Sequence, residues 1–343
     1  MKRRMIMKKI LALILVCLMS LSTVAFAADF SDVEGHWAIN SINNAAENGL
    51  ITGSEGRFYP DDNMTRAEMA TIVVRAFGAT EDADISAFTD VLPTDWFYAS
   101  MSKAVAMGAF NGSYGKLNPE NPITRQEAFV VLSRVFGLAV NEDIDASILN
   151  QFSDKGMIED WAEADVAAII NAGYVGGSDG KLNPTANITR AEFAAVMDRL
   201  IKYYIDDETA TTLPTDGNVM IRVGGIKVEK LTTDKMIVVG DGVGKGTFGI
   251  AEGKVDNSVV VRASETTSLG GNYKNIKIIR PGIRVQGPLP DPEKGEKAWV
   301  GKDSTYSIFG SILVDDKEAE KATDAQTEAD ETEETEETKN DEQ

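Results

Sequence analysis

The fold is decided by the four residues Thr65-Arg66-Ala67-Glu68, which return as Thr124-Arg125-Gln126-Glu127 and again as Thr189-Arg190-Ala191-Glu192. Each copy stands immediately before an apolar run with helical spacing. A threonine at the N-cap with a glutamate three residues later is typical of a capping box, which satisfies free backbone N–H groups at a helix start. The three copies therefore predict three helices in a chain built from three repeats.

The arginine of each box is not explained by helix capping. A cation in the first turn opposes the helix dipole, which favours anions at that end. Backbone N–H groups, the positive end of the dipole and a forked guanidinium can together bind a carboxylate or a phosphate. We therefore predict that Arg66, Arg125 and Arg190 face a ligand. The alternative is that each arginine pairs with a carboxylate of a neighbouring repeat and only fixes the packing.

Other residues recur at matching positions before each box. A tryptophan stands 28 residues before each threonine, at Trp37, Trp96 and Trp161. A loop of the form Gly-Ser-x-Gly-basic-apolar-x-Pro begins at Gly53, Gly112 and Gly177. Each repeat opens with Phe-Ser/Thr-Asp, and the aspartates are Asp32, Asp90 and Asp154. Each unit therefore reads as a helix near the tryptophan, a turn loop and a second, capped helix.

The second helices each carry one apolar stripe, the pattern of a helix in a bundle. In the first repeat the stripe comprises Ile72, Val73, Ala76 and Phe77. One helix–loop–helix unit cannot bury such a stripe alone, whereas three units packed together can. The sequence thus predicts an all-α bundle of three repeats, over 28–84, 85–148 and 149–205.

These repeats resemble the S-layer homology domain, the three-repeat module of many bacterial surface proteins. The resemblance covers Phe30 to Tyr203 and is carried by the Phe-Ser/Thr-Asp, Trp, Gly-Ser-x-Gly and Thr-Arg-Ala-Glu elements. It implies a pseudo-threefold prism around a three-helix core, with grooves between neighbouring repeats. It also implies that the grooves bind an acidic, commonly pyruvylated, secondary cell-wall polysaccharide. An exported protein would thereby be held noncovalently to the cell wall of a Gram-positive-type envelope.

The resemblance implies a ligand-binding role for one aspartate, tryptophan, glycine and arginine of each repeat. The arginine would bind a polymer carboxylate, and the tryptophan would face a sugar. The aspartate would accept hydroxyl groups or organise a loop, and the glycine would let the backbone approach closely. The residues are Asp32, Trp37, Gly53, Arg66, Asp90, Trp96, Gly112, Arg125, Asp154, Trp161, Gly177 and Arg190. Judged from the residues alone, the alternatives are core tryptophans, capping or turn aspartates, and glycines that serve as C-caps and turn residues.

Two departures from the repeat pattern fall in the second and third repeats. Gln126 replaces the alanine of the box, and the loop 155–160 before Trp161 is longer than its counterparts. These departures leave open that one of the grooves is weak or unoccupied.

Both ends of the chain are set apart from the folded part. Five basic residues precede the apolar run from Ile10 to Met19, and Ala25-Phe26-Ala27 is a small-x-small cleavage site. We therefore predict a signal peptide over 1–27. The run is short for a membrane span of about 20 residues, so we expect no stable membrane anchor after cleavage. The Thr-Glu-rich segment 315–343 is predicted to be a disordered acidic tail.

Composition disfavours several classes of function. The formal net charge of −20 over 343 residues makes nucleic acid an improbable partner. The one cysteine, Cys17, lies in the predicted signal peptide, which excludes disulfides and cysteine chemistry from the mature chain. The one histidine, His36, disfavours Ser-His catalysis and multi-histidine metal sites. We expect neither a metal nor a cofactor.

The last third of the chain has a different pattern. After a predicted linker over 206–216, β-branched runs alternate with glycine-rich turns at about twenty-residue spacing, which predicts a β-rich domain over 217–314. The turn at 240–246 resembles those of the short right-handed parallel β-helix regions of some surface proteins; a small sandwich is the alternative. With no acidic cluster and no histidine there, we predict a non-enzymatic protein. The alternatives are a wall-anchored carbohydrate-active enzyme with a catalytic β domain, and a structural S-layer subunit.

Overall fold

The computed structural model describes residues 30–139, 144–263, 266–280, 282–288, 294–295, 297–300, 305–308 and 311–313. The predicted signal peptide and acidic tail lie outside the described residues. The described chain has a helical N-terminal part followed by an all-β part.

Two α-helices belong to each repeat. The first helices are α1 (Ile39–Glu47), α3 (Tyr98–Ala106) and α5 (Glu163–Asn171). The second helices are α2 (Arg66–Phe77), α4 (Arg125–Phe136) and α6 (Arg190–Leu200). Two short 3₁₀ segments, Ala146–Gln151 and Lys155–Met157, precede α5. None of the helices in the described ranges combines the length and the apolar character needed to cross a membrane.

The three predicted capping boxes are confirmed. The threonines Thr65, Thr124 and Thr189 are the N-caps of α2, α4 and α6, and each accepts a hydrogen bond from the backbone N–H of its box glutamate. The glutamate side chain in turn accepts the N–H of the threonine. Two free donors are thus satisfied at each helix start.

The three repeats close into a ring. The second helix of each repeat packs against the first helix of the next, as α2 with α3, α4 with α5 and α6 with α1. Inside the ring the residues just before the boxes form a cycle of backbone hydrogen bonds. Met64 donates to Ile188 at 2.9 Å, Ile188 to Ile123 at 3.1 Å and Ile123 to Met64 at 3.0 Å. The predicted three-repeat bundle is confirmed, and each repeat both donates to and accepts from a neighbour.

Eleven β-strands form the C-terminal part within the described ranges. They are β1 (Tyr203–Ile205), β2 (Val219–Ile221), β3 (Ile226–Thr233), β4 (Ile237–Val239), β5 (Thr247–Val261), β6 (Thr266–Gly270), β7 (Tyr273–Ile278), β8 (Arg284–Gln286), β9 (Lys297–Val300), β10 (Thr305–Ile308) and β11 (Ser311–Leu313). All pairings among β1 to β10 are parallel, and only β11 pairs antiparallel, with β10.

The strands stack in two columns, which makes the domain a β-solenoid. One column runs β1, β2, β4, the end of β5, β7 and β9. The other runs β3, the start of β5, β6, β8 and β10. Ile221, Val239, Val261 and Ile278 align in register in the first column, and all are buried. The parallel β-helix prediction is confirmed, and the sandwich alternative is wrong.

The segment 206–216, predicted as a linker, forms part of the first solenoid turn. Strand β1 precedes it and pairs with β2, although β1 lies in the range assigned to the third repeat. Leu213 is buried in the solenoid core. The backbone N–H of Glu229 donates to the carbonyl of Thr211 at 2.9 Å, which covers part of the edge of β3.

The solenoid packs against the C-terminal ends of the helices. Met220, Met236, Val238 and Val260 belong to the same buried cluster as the helical core. Glycine allows the closest approach: a Cβ on Gly240 would lie 2.8 Å from the carbonyl oxygen of Phe77, the last residue of α2. One face of the solenoid therefore belongs to the helical core, while the solenoid interior forms a separate cluster.

Three polar side chains of the solenoid each bridge the helix ends of one repeat. Arg222 donates to the carbonyl after α1 at 3.1 Å and to one in the last turn of α2 at 3.2 Å. Arg262 donates to the carbonyl after α3 at 2.7 Å and to one in the last turn of α4 at 3.5 Å. Asn218 donates to the last carbonyl of α6 at 2.9 Å and to the hydroxyl of Tyr174, beyond α5, at 2.8 Å. Carbonyls that the helices leave unsatisfied thus find donors in the solenoid.

Candidate functional site

The box arginines lie between repeats, and each contacts the loop of the next repeat. In every case Nε donates to the carbonyl of the apolar residue of the Gly-Ser-x-Gly loop. The pairs are Arg66 to Leu117 at 3.0 Å, Arg125 to Leu182 at 2.8 Å and Arg190 to Phe58 at 2.9 Å. The third repeat reaches the first, so the contacts run around the whole ring.

The same guanidinium groups contact the box glutamates of the next repeat. Nη1 of Arg66 lies 3.4 Å from Glu127, Nη1 of Arg125 lies 2.8 Å from Glu192, and Arg190 pairs with Glu68. These are the contacts that the packing alternative predicts. The anionic glutamate offsets the unfavourable position of the cation at a helix start.

One edge of each guanidinium remains available. Across the described residues, Nη2 of Arg66, Arg125 and Arg190 has no hydrogen-bond partner. The three side chains are 16%, 13% and 13% exposed, respectively. Packing contacts through Nε and Nη1 are therefore compatible with a ligand contact through Nη2.

The backbone N–H groups at the helix starts are not available to an anion. In α2 the N–H of Arg66 donates to Asn121 at 3.0 Å and that of Ala67 to Pro119 at 2.8 Å, while Glu68 donates to Thr65. The corresponding groups of α4 and α6 donate to the loops of the next repeats in the same way. The expectation that these donors bind the ligand is not met, because neighbouring loops supply their acceptors.

The repeat aspartates organise the loops that the arginines contact. The two carboxylate oxygens of Asp90 accept the backbone N–H groups of Leu117 at 3.0 Å and Asn118 at 2.8 Å. Asp32 and Asp154 make the same pair of bonds in their own repeats. Burial opposes ionisation of Asp32 and Asp154, but these hydrogen bonds outweigh it, so the pKa of both carboxyls lies below the ordinary value. Each aspartate therefore holds the carbonyl that receives an arginine.

The repeat tryptophans lie on the surface. Trp37, Trp96 and Trp161 are 64%, 67% and 48% exposed. The alternative that they are core aromatics is wrong. Their rings are therefore accessible to a ligand.

The repeat glycines make room inside the protein. A Cβ on Gly112 would lie 2.0 Å from the ring of Phe88, and one on Gly53 would lie 2.4 Å from that of Phe30. Gly177 stands in the same relation to Phe152. The close approach is therefore between the loop and the phenylalanine that opens each repeat.

One groove forms a cavity of about 410 Å³. Gly53 and Glu68 of the first repeat line it, together with Trp96 of the second and Arg190 of the third. Arg75, from the last turn of α2, completes the polar lining and donates to the carbonyl of Leu50 at 3.1 Å. We call this the first groove. It brings together a glycine, a tryptophan and an arginine that the sequence assigned to binding, each from a different repeat.

The two departures from the repeat pattern contact each other. Gln126 donates to a carboxylate oxygen of Glu159 at 2.9 Å and accepts the backbone N–H of Glu159 at 3.1 Å. The other carboxylate oxygen of Glu159 accepts the indole N–H of Trp161 at 2.6 Å. The longer loop and the glutamine are therefore joined, and together they hold Trp161 in place. Both departures are visible in the sequence, but their contact is not.

The comparison with protein families agrees with the repeat pattern. The S-layer homology domain matches residues 29–70, 87–129 and 151–194. The three matched ranges contain the three capping boxes and the three tryptophans.

The similar proteins are surface proteins and enzymes. The chain is 32% identical over 197 residues to the surface-layer 125 kDa protein of Lysinibacillus sphaericus, which covers 56% of this chain and 16% of that protein. It is 28% identical over 229 residues to the S-layer protein EA1 of Bacillus anthracis, with 64% and 26% covered. It is 27% identical over 175 residues to the amylopullulanase of Thermoanaerobacterium thermosulfurigenes, with 50% and 9% covered. The chain thus spans only a small part of these relatives.

Proposed function

Because the N-terminal part of this cell-surface chain consists of three S-layer homology domains, we propose that it anchors the protein by binding an acidic secondary cell-wall polysaccharide in the grooves between repeats. Anchoring at the cell surface follows from the domains and from the surface-layer relatives. The polysaccharide and its contacts are our proposal.

The first groove supports this proposal most directly. Trp96 offers an exposed apolar face, on which a sugar ring can stack. Nη2 of Arg190 offers free donors for a charge-assisted bond to a polymer carboxylate. Because the repeats form one rigid ring, engagement of more than one groove by a polymer would multiply modest affinities.

We propose that the aspartates and glycines act on the ligand indirectly. Asp32, Asp90 and Asp154 spend both carboxylate oxygens on loop N–H groups, so they position the arginines rather than accept sugar hydroxyls. The glycines keep the same loops seated against their phenylalanines.

We propose that the protein is not an enzyme. The S-layer relatives carry names of structural proteins. The amylopullulanase and the exoglucanase XynX of Acetivibrio thermocellus match this chain over only 9% and 16% of their own lengths. Asp241, the buried carboxylate of the solenoid, lies between Arg262 and Arg280 and is 1% exposed, which is not the position of a catalytic acid in a cleft.

The test is sedimentation of the chain lacking 1–27 with purified cell-wall sacculi, before and after extraction of the secondary polymer. We expect pelleting that depends on the polymer. The Trp37, Trp96 and Trp161→Ala variant should stay in solution, and because these rings are exposed, its circular dichroism should match that of the parent. The Arg66, Arg125 and Arg190→Ala variant should also lose pelleting.

A matched variant controls for charge. Lys227, Lys230 and Lys254→Ala removes three exposed cations from the solenoid and should pellet as the parent does. If the folded arginine and tryptophan variants pellet like the parent, the grooves are not the binding site. If the parent does not pellet, the wall polymer is not the partner.

A further inference from the structure

The three grooves are not equivalent in charge. In the repeat register, the position of Glu159 is occupied by Gly35 in the first repeat and by Thr94 in the second. The position of Gln126 is occupied by alanine in the other two boxes. The glutamine–glutamate pair is therefore confined to the contact between the second and third repeats, which we call the second groove.

A second carboxylate appears at the same contact. Asp165, one turn after Trp161, accepts a hydrogen bond from Nε of Arg134 at 3.1 Å. The equivalent arginines, Arg75 and Arg199, instead donate to the backbone carbonyls of Leu50 and Tyr174. The residues equivalent to Asp165 are serines, at positions 41 and 100. Within the described part of the chain, the second groove alone pairs this arginine with a side-chain carboxylate.

The tryptophan of the second groove also differs from the other two. The indole N–H of Trp161 is held by Glu159, and Trp161 is the least exposed of the three rings. Within the described ranges, the indole N–H groups of Trp37 and Trp96 have no protein partner and remain free for a ligand. The second groove therefore carries an extra carboxylate beside its tryptophan, one arginine paired with a carboxylate and one occupied indole donor.

We propose that Glu159 and Asp165 close the second groove to anionic sugars, so that the acidic residue of the polymer binds only in the other two grooves. This inference rests on the proposed function and names the residues that select among its sites. A ligand carboxylate entering the second groove would meet the like charge of Glu159, which disfavours its ionised form, and would find Arg134 already paired with Asp165 at 3.1 Å. Placing a like charge against a ligand is a recognised means of rejecting it.

The test counts the sugar-binding sites on the chain without residues 1–27. Isothermal titration calorimetry with a pyruvylated hexose glycoside should give two sites for the parent. Glu159→Gln with Asp165→Ser removes both charges and installs the serine of the other repeats. This variant should bind three molecules of the glycoside per chain.

A reciprocal variant introduces the glutamine–glutamate pair into the first groove. Ala67→Gln with Thr94→Glu copies the glutamine–glutamate pair and should reduce the parent's two sites to one. Thermal unfolding of both variants shows whether the ring is intact. If the buried Ala67→Gln substitution prevents folding, Thr94→Glu alone still places a carboxylate beside Trp96 and should weaken or remove that site.

The outcomes separate the two proposals. An equal number of sites in the parent and in the Glu159→Gln, Asp165→Ser variant overturns the role of Glu159 and Asp165. Binding in both proteins would still agree with the proposed anchoring function. Three sites in the parent, or none in any of the proteins, also overturns the inference. Failure of polymer-dependent sedimentation is a separate result, which overturns the proposed function.

Discussion

The two ends of the helical ring use arginines in opposite electrostatic settings. At the groove end, Arg66 and its two counterparts stand at helix N-termini, where a cation is unfavourable, and each is accompanied by a glutamate. At the solenoid end, Arg222 and Arg262 bind carbonyls at helix C-termini, where a cation is favourable. The comparison separates arginines at the proposed binding grooves from arginines that join the two parts of the fold.

Hydrogen bonding follows the same division. Arg262 is 2% exposed and has every donor nitrogen bonded to a carbonyl or to Asp241. The box arginines keep Nη2 free in the described structure and remain open to solvent at the groove. A fully bonded arginine can only hold the fold, whereas a partly bonded one can also meet a ligand.

The largest effect should come from Arg262→Met. The substitution leaves Asp241 with Arg280 as its remaining cation and deprives two helix ends of a donor. Removing one partner of a buried ion pair costs about 3–5 kcal/mol of unfolding free energy. Urea unfolding of the chain lacking 1–27 measures the loss. A loss as small as that of Lys235→Ala, a partly exposed solenoid cation that pairs with its neighbour Asp234, would show that the contact is not stabilising.

Arg125→Met tests the other end and should cost less. It removes hydrogen bonds to Leu182 and Glu192 in a partly buried setting, and such losses are typically about 1–3 kcal/mol. The same urea titration gives the value. A cost equal to that of Arg262→Met would mean that the groove arginines are assembly residues as well, and would contradict the division between the two ends.

Sequence analysis predicted the local chemistry of both ends better than their long-range contacts. The capping boxes, the ring of helix pairs and the parallel solenoid follow from periodicities and caps that act within a few residues. The acceptors of Arg262 lie 127 and 155 residues away along the chain, and nothing in its β-branched surroundings indicates them. Likewise, the loop carbonyls that accept the first N–H groups of the second helices belong to the next repeat. These N–H groups are therefore not available to the predicted anion site.

The candidate site was predicted by residue type and only partly by role. Repetition identified Asp90, Trp96 and Arg66, because residues kept at one spacing in three repeats share a task. It did not distinguish the loop-organising aspartates from the exposed tryptophans, since both recur equally. Burial and hydrogen bonding distinguish them, and these depend on how the loops pack in three dimensions.

Acid should weaken the groove end through its aspartates. The pKa of Asp32 and Asp154 is lower in the folded protein than the ordinary 3.8. Their stabilising contribution is therefore complete above the unfolded pKa and is lost as pH falls through the folded pKa. We expect the unfolding free energy to fall as pH drops below about 4. Asp32→Asn with Asp154→Asn should flatten this dependence in urea titrations at a series of pH values, whereas an unchanged slope would assign it to other groups.

The smallest expected effect concerns backbone strain, which is also divided between the two ends. All six non-glycine residues with positive φ in the described chain lie in the loops of the groove end. Tyr114 is one of them, with φ at 51° and its side chain fully exposed, so no packing offsets the strain. Because asparagine tolerates this conformation better, Tyr114→Asn should raise the unfolding free energy by up to about 1 kcal/mol. Asp179→Asn, at the equivalent position of the third repeat, is the matched control and should change little. If Tyr114→Asn instead lowers stability in urea titrations, the tyrosine ring contributes to the fold. Backbone strain at this position would then not reduce the stability of the protein.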